Sequence, residues 1–234
     1  MKFIDKNINL KYEAEFWKDE HRYKFNNKFL PSVTPIVSNY FNTNYSDIKG
    51  SAYFNKAIIR GNIIHEFASR ILYDCVKNEN SRNNINQILE LLNVEYNEIK
   101  ELFSLIKKFN NFIKKIEKEF KKIIAIIEQP ISDGLICGTP DLVYMENNNA
   151  IVVDFKTWKN VELKKIKMAQ LQITGYAHLL KANGINVADK GEIWIINENG
   201  IERINFKITT KLNLEWQDAK ALFLKNSANF KEEI

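Results

Sequence analysis

Cysteine is nearly absent from this sequence. Its 234 residues contain only Cys75 and Cys137. Two cysteines are too few for a disulfide framework, or for a four-cysteine zinc or iron–sulfur site. Both sit in apolar runs and read as buried free thiols. Long hydrophobic runs are missing as well: no stretch approaches the length needed to cross a bilayer, and the N-terminus has no signal-peptide core. An intracellular, cytoplasmic location is therefore the expectation. No Gly-x-x-x-x-Gly-Lys-[Ser/Thr] sequence occurs, so a nucleotide-driven motor is not expected. Internal repeats and long linkers are also lacking, and residues 1–234 read as a single unit. Charge of one sign is only mildly in excess. The formal net charge is +5 and the pI about 8.9, which allow a polyanionic partner without demanding one. The 45% hydrophobic and 27% charged content is that of an ordinary globular chain.

What the sequence does have is concentrated between Gly138 and Thr157. Gly138-Thr139-Pro140-Asp141 is a tight bend leading into the apolar run Leu142-Val143-Tyr144. An Asn-rich turn follows, then Ile151-Val152-Val153-Asp154-Phe155-Lys156. Two β-runs about such a turn predict a hairpin. Period-two alternation puts Asp154 and Lys156 on one face and Phe155 on the other. Pairing the strands brings Asp141 beside Asp154. Two converging carboxylates repel, and burying them uncompensated is costly. A hard divalent cation, Mg²⁺ or Mn²⁺, would reverse that cost. Lys156 would then orient an attacking water or stabilise charge on a phosphate. A salt-bridged hairpin without function is the alternative for a bare Asp-x-Lys.

The flanking sequence predicts an α/β (α+β) fold, a central mixed sheet with helices around it. Residues 1–50 hold a hairpin turning at Asn26-Asn27, then a helix with Thr34 as N-cap and Pro35 as its first residue. Residues 51–122 form a helical part. Its first helix, Ser51 to Val76, carries an apolar stripe bordered by His65, either a core histidine or a neutral imidazole ligand. Gly61, one turn earlier, is expected to admit a neighbouring backbone. After a polar break at 78–84, helices are expected over 85–92 and 95–122. The second has a lysine-rich face that reads foremost as solvated, and otherwise as a groove wall for nucleic acid.

Residues 123–210 form the sheet, with strands at 123–127, 135–144, 150–157, 192–196 and 201–208. Residues 211–234 hold a last helix. Glu128, closing the first of these strands, is open between a third carboxylate and a surface acid, with the surface acid favoured. The helix Leu163 to Leu180 projects Gln172 and Tyr176 from one face, towards Lys156 or a phosphate backbone. Thr157, Lys159, Lys164, Lys165 and Lys167 lie at its entry, within reach of phosphates.

The order of these features resembles the PD-(D/E)xK nuclease superfamily. They are Gly61 and His65 on a helix, Gly138-Thr139-Pro140-Asp141, Asp154-Phe155-Lys156-Thr157, and Gln172 and Tyr176. The similarity is to the RecB-like branch, which includes phage exonucleases and the mitochondrial genome-maintenance exonuclease. Pro31-Ser32-Val33-Thr34 resembles a further segment of the phage-type members. The match spans roughly residues 30–181; no single motif is specific, but their order and spacing together are.

The resemblance implies a restriction-endonuclease-like core and a DNA exonuclease using Mg²⁺, with Mn²⁺ substituting. His65, Asp141, Asp154 and the backbone carbonyl of Phe155 would hold the cation. Lys156 would position the water, and Gln172 and Tyr176 would hold the DNA or the lysine. The shortage of cysteine sets the chain apart from relatives with an iron–sulfur cluster. DNA is the implied partner, with a single-strand-binding or recombination protein as a further one. The rival readings are an inert nucleic-acid-binding or inhibitory protein on the same fold, whose mark would be a missing acid or lysine, and an α/β domain with coincidental motifs. No acid or lysine is missing.

Overall fold

The computed structural model describes residues 2–17, 22–43, 51–77, 102–120 and 123–229. The helix expected over 85–92, most of the loop at 42–50 and the start of the helix expected from residue 95 lie outside the described residues.

A six-stranded mixed sheet forms the centre. Its order is β1 (Phe3–Ile4), β5 (Ile124–Ile127), β8 (Leu142–Glu146), β9 (Asn149–Lys156), β10 (Val187–Asn197) and β11 (Gly200–Lys207). Neighbours are antiparallel except β9 and β10, which run parallel. A parallel pair needs a long crossover, and helix α4 (Leu163–Ala182) supplies it. Thr210–Asn229 forms the C-terminal helix α5. The other described helices are α1 (Val33–Tyr40), α2 (Ala52–Lys77) and α3 (Phe103–Phe120). None of the described helices is long and apolar enough to cross a membrane.

The predicted hairpin is present: Leu142 pairs with Val153 and Glu146 with Asn149. Its turn residues Asn147 and Asn148 have φ of 49° and 61°, as do Asn26 and Asn27 at 47° and 63°. Two successive left-handed residues match the twist of the flanking strands, and asparagine tolerates that conformation better than other non-glycine residues. Asn26-Asn27 joins β3 (Arg22–Phe25) to β4 (Lys28–Leu30), and β2 (Glu15–Trp17) adds a third strand to this small N-terminal sheet.

Strands β8 to β10 are buried on both faces, so each strand contributes to two cores. On one side Phe67, Leu72, Leu105 and Phe109 of α2 and α3 pack on Leu142, Val153, Phe155 and Trp194. On the other, Val33, Ile36, Leu171, Tyr176 and Trp216 of α1, α4 and α5 pack on Val143, Val152, Ile193 and Ile195. Within the first core lies a charge that the sequence reading missed. The Glu192 carboxylate is buried and accepts hydrogen bonds from Tyr144 Oη (2.7 Å), Trp194 Nε1 (2.7 Å) and Arg203 (2.8 Å). Full satisfaction of its oxygens is what makes a buried carboxylate tolerable.

Three expectations need correction. Ser32 rather than Thr34 stands at the N-cap position of helix α1, without a side-chain capping bond, and Pro35 stands in its third position. First-turn N–H groups have no helical acceptor, so proline is as harmless there as at the first position. The strand expected over 135–144 is split. Cys137–Gly138 (β7) pairs with Ile131–Ser132 (β6) in a separate two-stranded ribbon, and the bend at 139–141 separates it from β8. Gly61 has open space where a side chain would project, with nothing within 4 Å.

Close approach does require glycine at Gly138 and Gly175, as it does at Gly191, where a Cβ would lie 2.6 Å from Ile173. A Cβ on Gly138 would lie 2.7 Å from Tyr176 Cε1, and one on Gly175 would lie 2.8 Å from both Trp216 and Val33. Gly138→Ala and Gly175→Ala are each expected to cost about 1–3 kcal/mol by overpacking. At about 2–4 °C per kcal/mol for a chain this long, the thermal midpoint should fall by several degrees. Gly61→Ala, in a half-buried helical position with open space for a Cβ, should leave it unchanged or raise it.

Candidate active site

The sheet end where β5 stops, β8 begins and β9 finishes is a meeting point of acids. Asp141 opens β8 and is 6% exposed. Its Oδ2 accepts a hydrogen bond of 2.5 Å from the Phe155 backbone N–H, and its Oδ1 lies 3.1 Å from His65 Nδ1. His65 reaches this point from α2, across the end of the sheet, with its ring edge against Phe155 (5.9 Å between centroids). Glu128 follows β5 directly and takes a left-handed φ of 48°. That conformation costs a non-glycine residue about 1–2 kcal/mol. It brings the carboxylate back to 3.9 Å from His65 Nδ1.

One ligand atom from each of His65, Glu128 and Asp141 falls within 4.8 Å of the other two, the spacing of residues that could hold one metal ion. Glu128 is thus part of the acidic cluster and not the separate surface acid favoured from sequence. A Glu directly after a buried apolar run, at the end where the other acids gather, was the available signal.

Asp154 stands apart from that trio. Its Oδ2 is buried and lies 2.6 Å from Lys156 Nζ, in an ion pair whose angle is not that of a hydrogen bond. Lys156 Nζ donates to Gln172 Oε1 (3.1 Å), and Gln172 Nε2 donates to Tyr176 Oη (2.9 Å). The expected i, i+4 pair on α4 therefore does face the lysine. Gln172 Nε2 is also 3.5 Å from Thr34 Oγ1 at the start of α1. Thr139, in the bend before Asp141, shares a hydrogen bond of 3.0 Å with Tyr23 Oη of the N-terminal sheet. Of the lysines expected to meet phosphate, Lys159, Lys164 and Lys167 are exposed, while Lys165 is 2.5 Å from Glu162. Thr157 is half-buried beside Lys156.

The crowding of acids appears in their proton affinities. Burial, then the charge of Asp141, raises the Glu128 carboxyl to about 8. Burial likewise raises Asp154 to about 6, against the pull of Lys156 and with the push of Asp141. Burial acts to lower the His65 pKa, but the charge and hydrogen bond of Asp141 overcome it, and the imidazole rises to about 9. Burial, then Asp154, places the Tyr176 phenol well above its usual value, so it stays protonated.

Glu128 and His65 hold protons at neutral pH that a cation would displace. Two carboxylates and an imidazole are a donor set suited to Mg²⁺ or Mn²⁺, the imidazole favouring Mn²⁺. The residues present therefore fit a divalent ion.

Residues 41–139 match the family described as "DNA replication factor Dna2". The matched segment takes in His65 and Glu128 and ends before Asp141, Asp154 and Lys156. No curated protein matches the chain. A solved structure titled "Crystal structure of SSO0001" aligns at 14% identity over 68% of this chain and 74% of that one, with a TM-score of 0.32.

Mn²⁺ affinity is expected to rise with pH between 6 and 9. His65 and Glu128 carry protons below their pKa values of about 9 and 8, and binding must release them. Calorimetric titration should show about tenfold tighter binding per pH unit for each proton displaced. Glu128→Gln should weaken binding at pH 8 by at least about tenfold and flatten the slope.

Proposed function

We propose that this chain is a metal-dependent deoxyribonuclease of the PD-(D/E)xK type, in the RecB-like branch, and that it acts as an exonuclease. The observation that carries this reading is the convergence of His65, Glu128 and Asp141 beside the Asp154–Lys156 pair at one sheet end. The match of residues 41–139 to a DNA replication factor family supports DNA as the substrate.

Each residue has a role that its geometry supports. His65, Glu128 and Asp141 would hold the cation, with Asp154 joining them once its carboxylate is drawn from Lys156. A bound divalent cation supplies Lewis acidity at the phosphate and makes an attacking water more acidic. Lys156 is held between the Asp154 carboxylate and the Gln172 amide oxygen. From there its ammonium can orient the water or stabilise negative charge growing on the phosphate. Gln172 is fixed in turn by Tyr176, so these two position the lysine. Tyr176 packs against Gly138, which ties the lysine's support to the bend that presents Asp141. Lys159, Lys164 and Lys167 offer exposed charge to the nucleic-acid backbone.

A nucleic-acid-binding protein without chemistry is the second reading. It gains nothing from this site, where both the acids and the lysine are in place.

Digestion of 5′- and 3′-labelled single- and double-stranded DNA with Mg²⁺ is the test. Wild type should release mononucleotides or short products and stop when EDTA is added. Asp141→Asn and Lys156→Ala should each lower the rate by about 10³-fold or more, about 4 kcal/mol of barrier, with circular dichroism unchanged. Gln172→Ala, acting through the lysine, should lower kcat by about 10- to 100-fold and leave Mn²⁺ affinity unaltered. Wild-type rates in Lys156→Ala, or cleavage that persists in EDTA, would contradict the assignment.

A further inference from the structure

The small N-terminal sheet has two faces of different character. Strand alternation and the pairs Phe16↔Tyr23 and Tyr23↔Leu30 place these three residues on one face. That face meets the bend before Asp141, because Tyr23 Oη bonds Thr139 there. The pairs Trp17↔Arg22, Glu15↔Lys24 and Lys24↔Phe29 define the opposite face. It carries two aromatic rings and two cations in contact. Trp17 and Phe29 meet edge to face with centroids 6.0 Å apart. The Arg22 guanidinium lies 4.0 Å from the Phe29 ring centre, and Lys24 Nζ 4.6 Å from that of Trp17. The Trp17 indole N–H donates to Glu15 Oε2 at 3.3 Å, the one acid on this face among the described strand residues. Trp17 remains 42% exposed.

Such a surface has no work in the core. An exposed indole beside a half-buried phenyl ring, both interleaved with cations, is the kind of surface that unpaired bases and their phosphates recognise: bases stack on rings, and cations meet the backbone. The face also lies close to the site along the chain. Phe29 lies on edge strand β4, and five residues later Thr34 stands 3.5 Å from Gln172, the residue that holds Lys156. Five residues of chain span no more than about 17 Å, a distance that a few unpaired nucleotides cover.

We propose that the outward face of the N-terminal sheet, formed by Trp17, Phe29, Arg22 and Lys24, is a stacking platform that binds the unpaired bases of single-stranded DNA on its way to the catalytic sheet end. This deepens the proposed function and rests on its reading of DNA as the substrate. Trp17 is the principal stacking surface. Arg22 and Lys24 add charge that any sequence can meet, so the platform is indifferent to base identity and sensitive to salt.

The test is the affinity of the full chain for a fluorescein-labelled twelve-residue oligothymidylate, in EDTA at one fixed salt concentration. Trp17→Ala should bind about tenfold more weakly than wild type, and Trp17→Phe, which keeps a stacking ring, should recover most of the loss. The Mn²⁺ affinity of Trp17→Ala should match wild type, because the residue touches no metal donor, and its thermal midpoint should fall by no more than a few degrees, since only its surface contacts with Phe29, Lys24 and Glu15 are lost. Equal affinity of Trp17→Ala and wild type would overturn the proposal, as would equal loss in Trp17→Ala and Trp17→Phe. The two readings fail separately. A wild-type chain that cleaves DNA while Trp17→Ala binds normally removes the platform alone. A wild-type chain that cleaves no DNA, with Trp17→Ala still deficient in binding, removes the nuclease reading and leaves the platform standing.

Discussion

Asp141 is held at both oxygens, and the site is built around that clamp. One oxygen takes the Phe155 N–H of the neighbouring strand and the other faces the His65 ring from α2. A carboxylate so buried needs both partners, since losing either would leave charge without solvent or a donor. The clamp therefore fixes three segments relative to one another: the bend before β8, the last residues of β9 and the middle of α2. Glu128 and Asp154 are buried at the same end, beside a charge they repel, and burial first and that charge after it make both hold their protons more tightly. The fold keeps an electrostatic conflict at this end of the sheet that a cation would relieve. Without a ligand such a conflict lowers stability; with one it becomes binding energy.

The remainder of the molecule positions the conflict. Two cores, one on each sheet face, hold β8 and β9 so that alternation sends Phe155 to α2 and α3 while Asp154 and Lys156 face α4. The lysine is thereby approached from the helix side and the acids from the sheet side. Close packing of Tyr176 on Gly138 and of Val33 and Trp216 on Gly175 brings α4, α1, α5 and the bend into register. A methyl group at either glycine would separate elements that meet at the lysine.

Much of this was legible because it is local. The hairpin of β8 and β9 follows from alternating apolar residues around asparagines that accept left-handed backbone, and the placing of Asp154 and Lys156 on one face follows from strand period alone. The pair Gln172 and Tyr176 follows from helical period in the same way. What sequence reading missed or left open depends on long-range packing or on a single unusual dihedral. Glu128 enters the cluster through one left-handed φ that no neighbouring glycine announces. Gly61 and Gly138 look alike as letters, yet only Gly138 is pressed by a ring arriving from α4. Buried Glu192 carries no local mark, because its partners Tyr144 and Arg203 come from other strands. Thr34 fits an N-cap by type, but the bridge between Ser32 and Cys137 fixes the chain earlier and moves the cap to Ser32.

The central claim is that one divalent cation sits between a histidine and acids contributed by separate segments. Anomalous diffraction from crystals soaked in Mn²⁺ reads that directly. The account predicts a manganese peak at roughly 2.0–2.3 Å from His65 Nδ1 and from oxygens of Glu128 and Asp141. An empty cluster in a crystal that binds manganese elsewhere would contradict it.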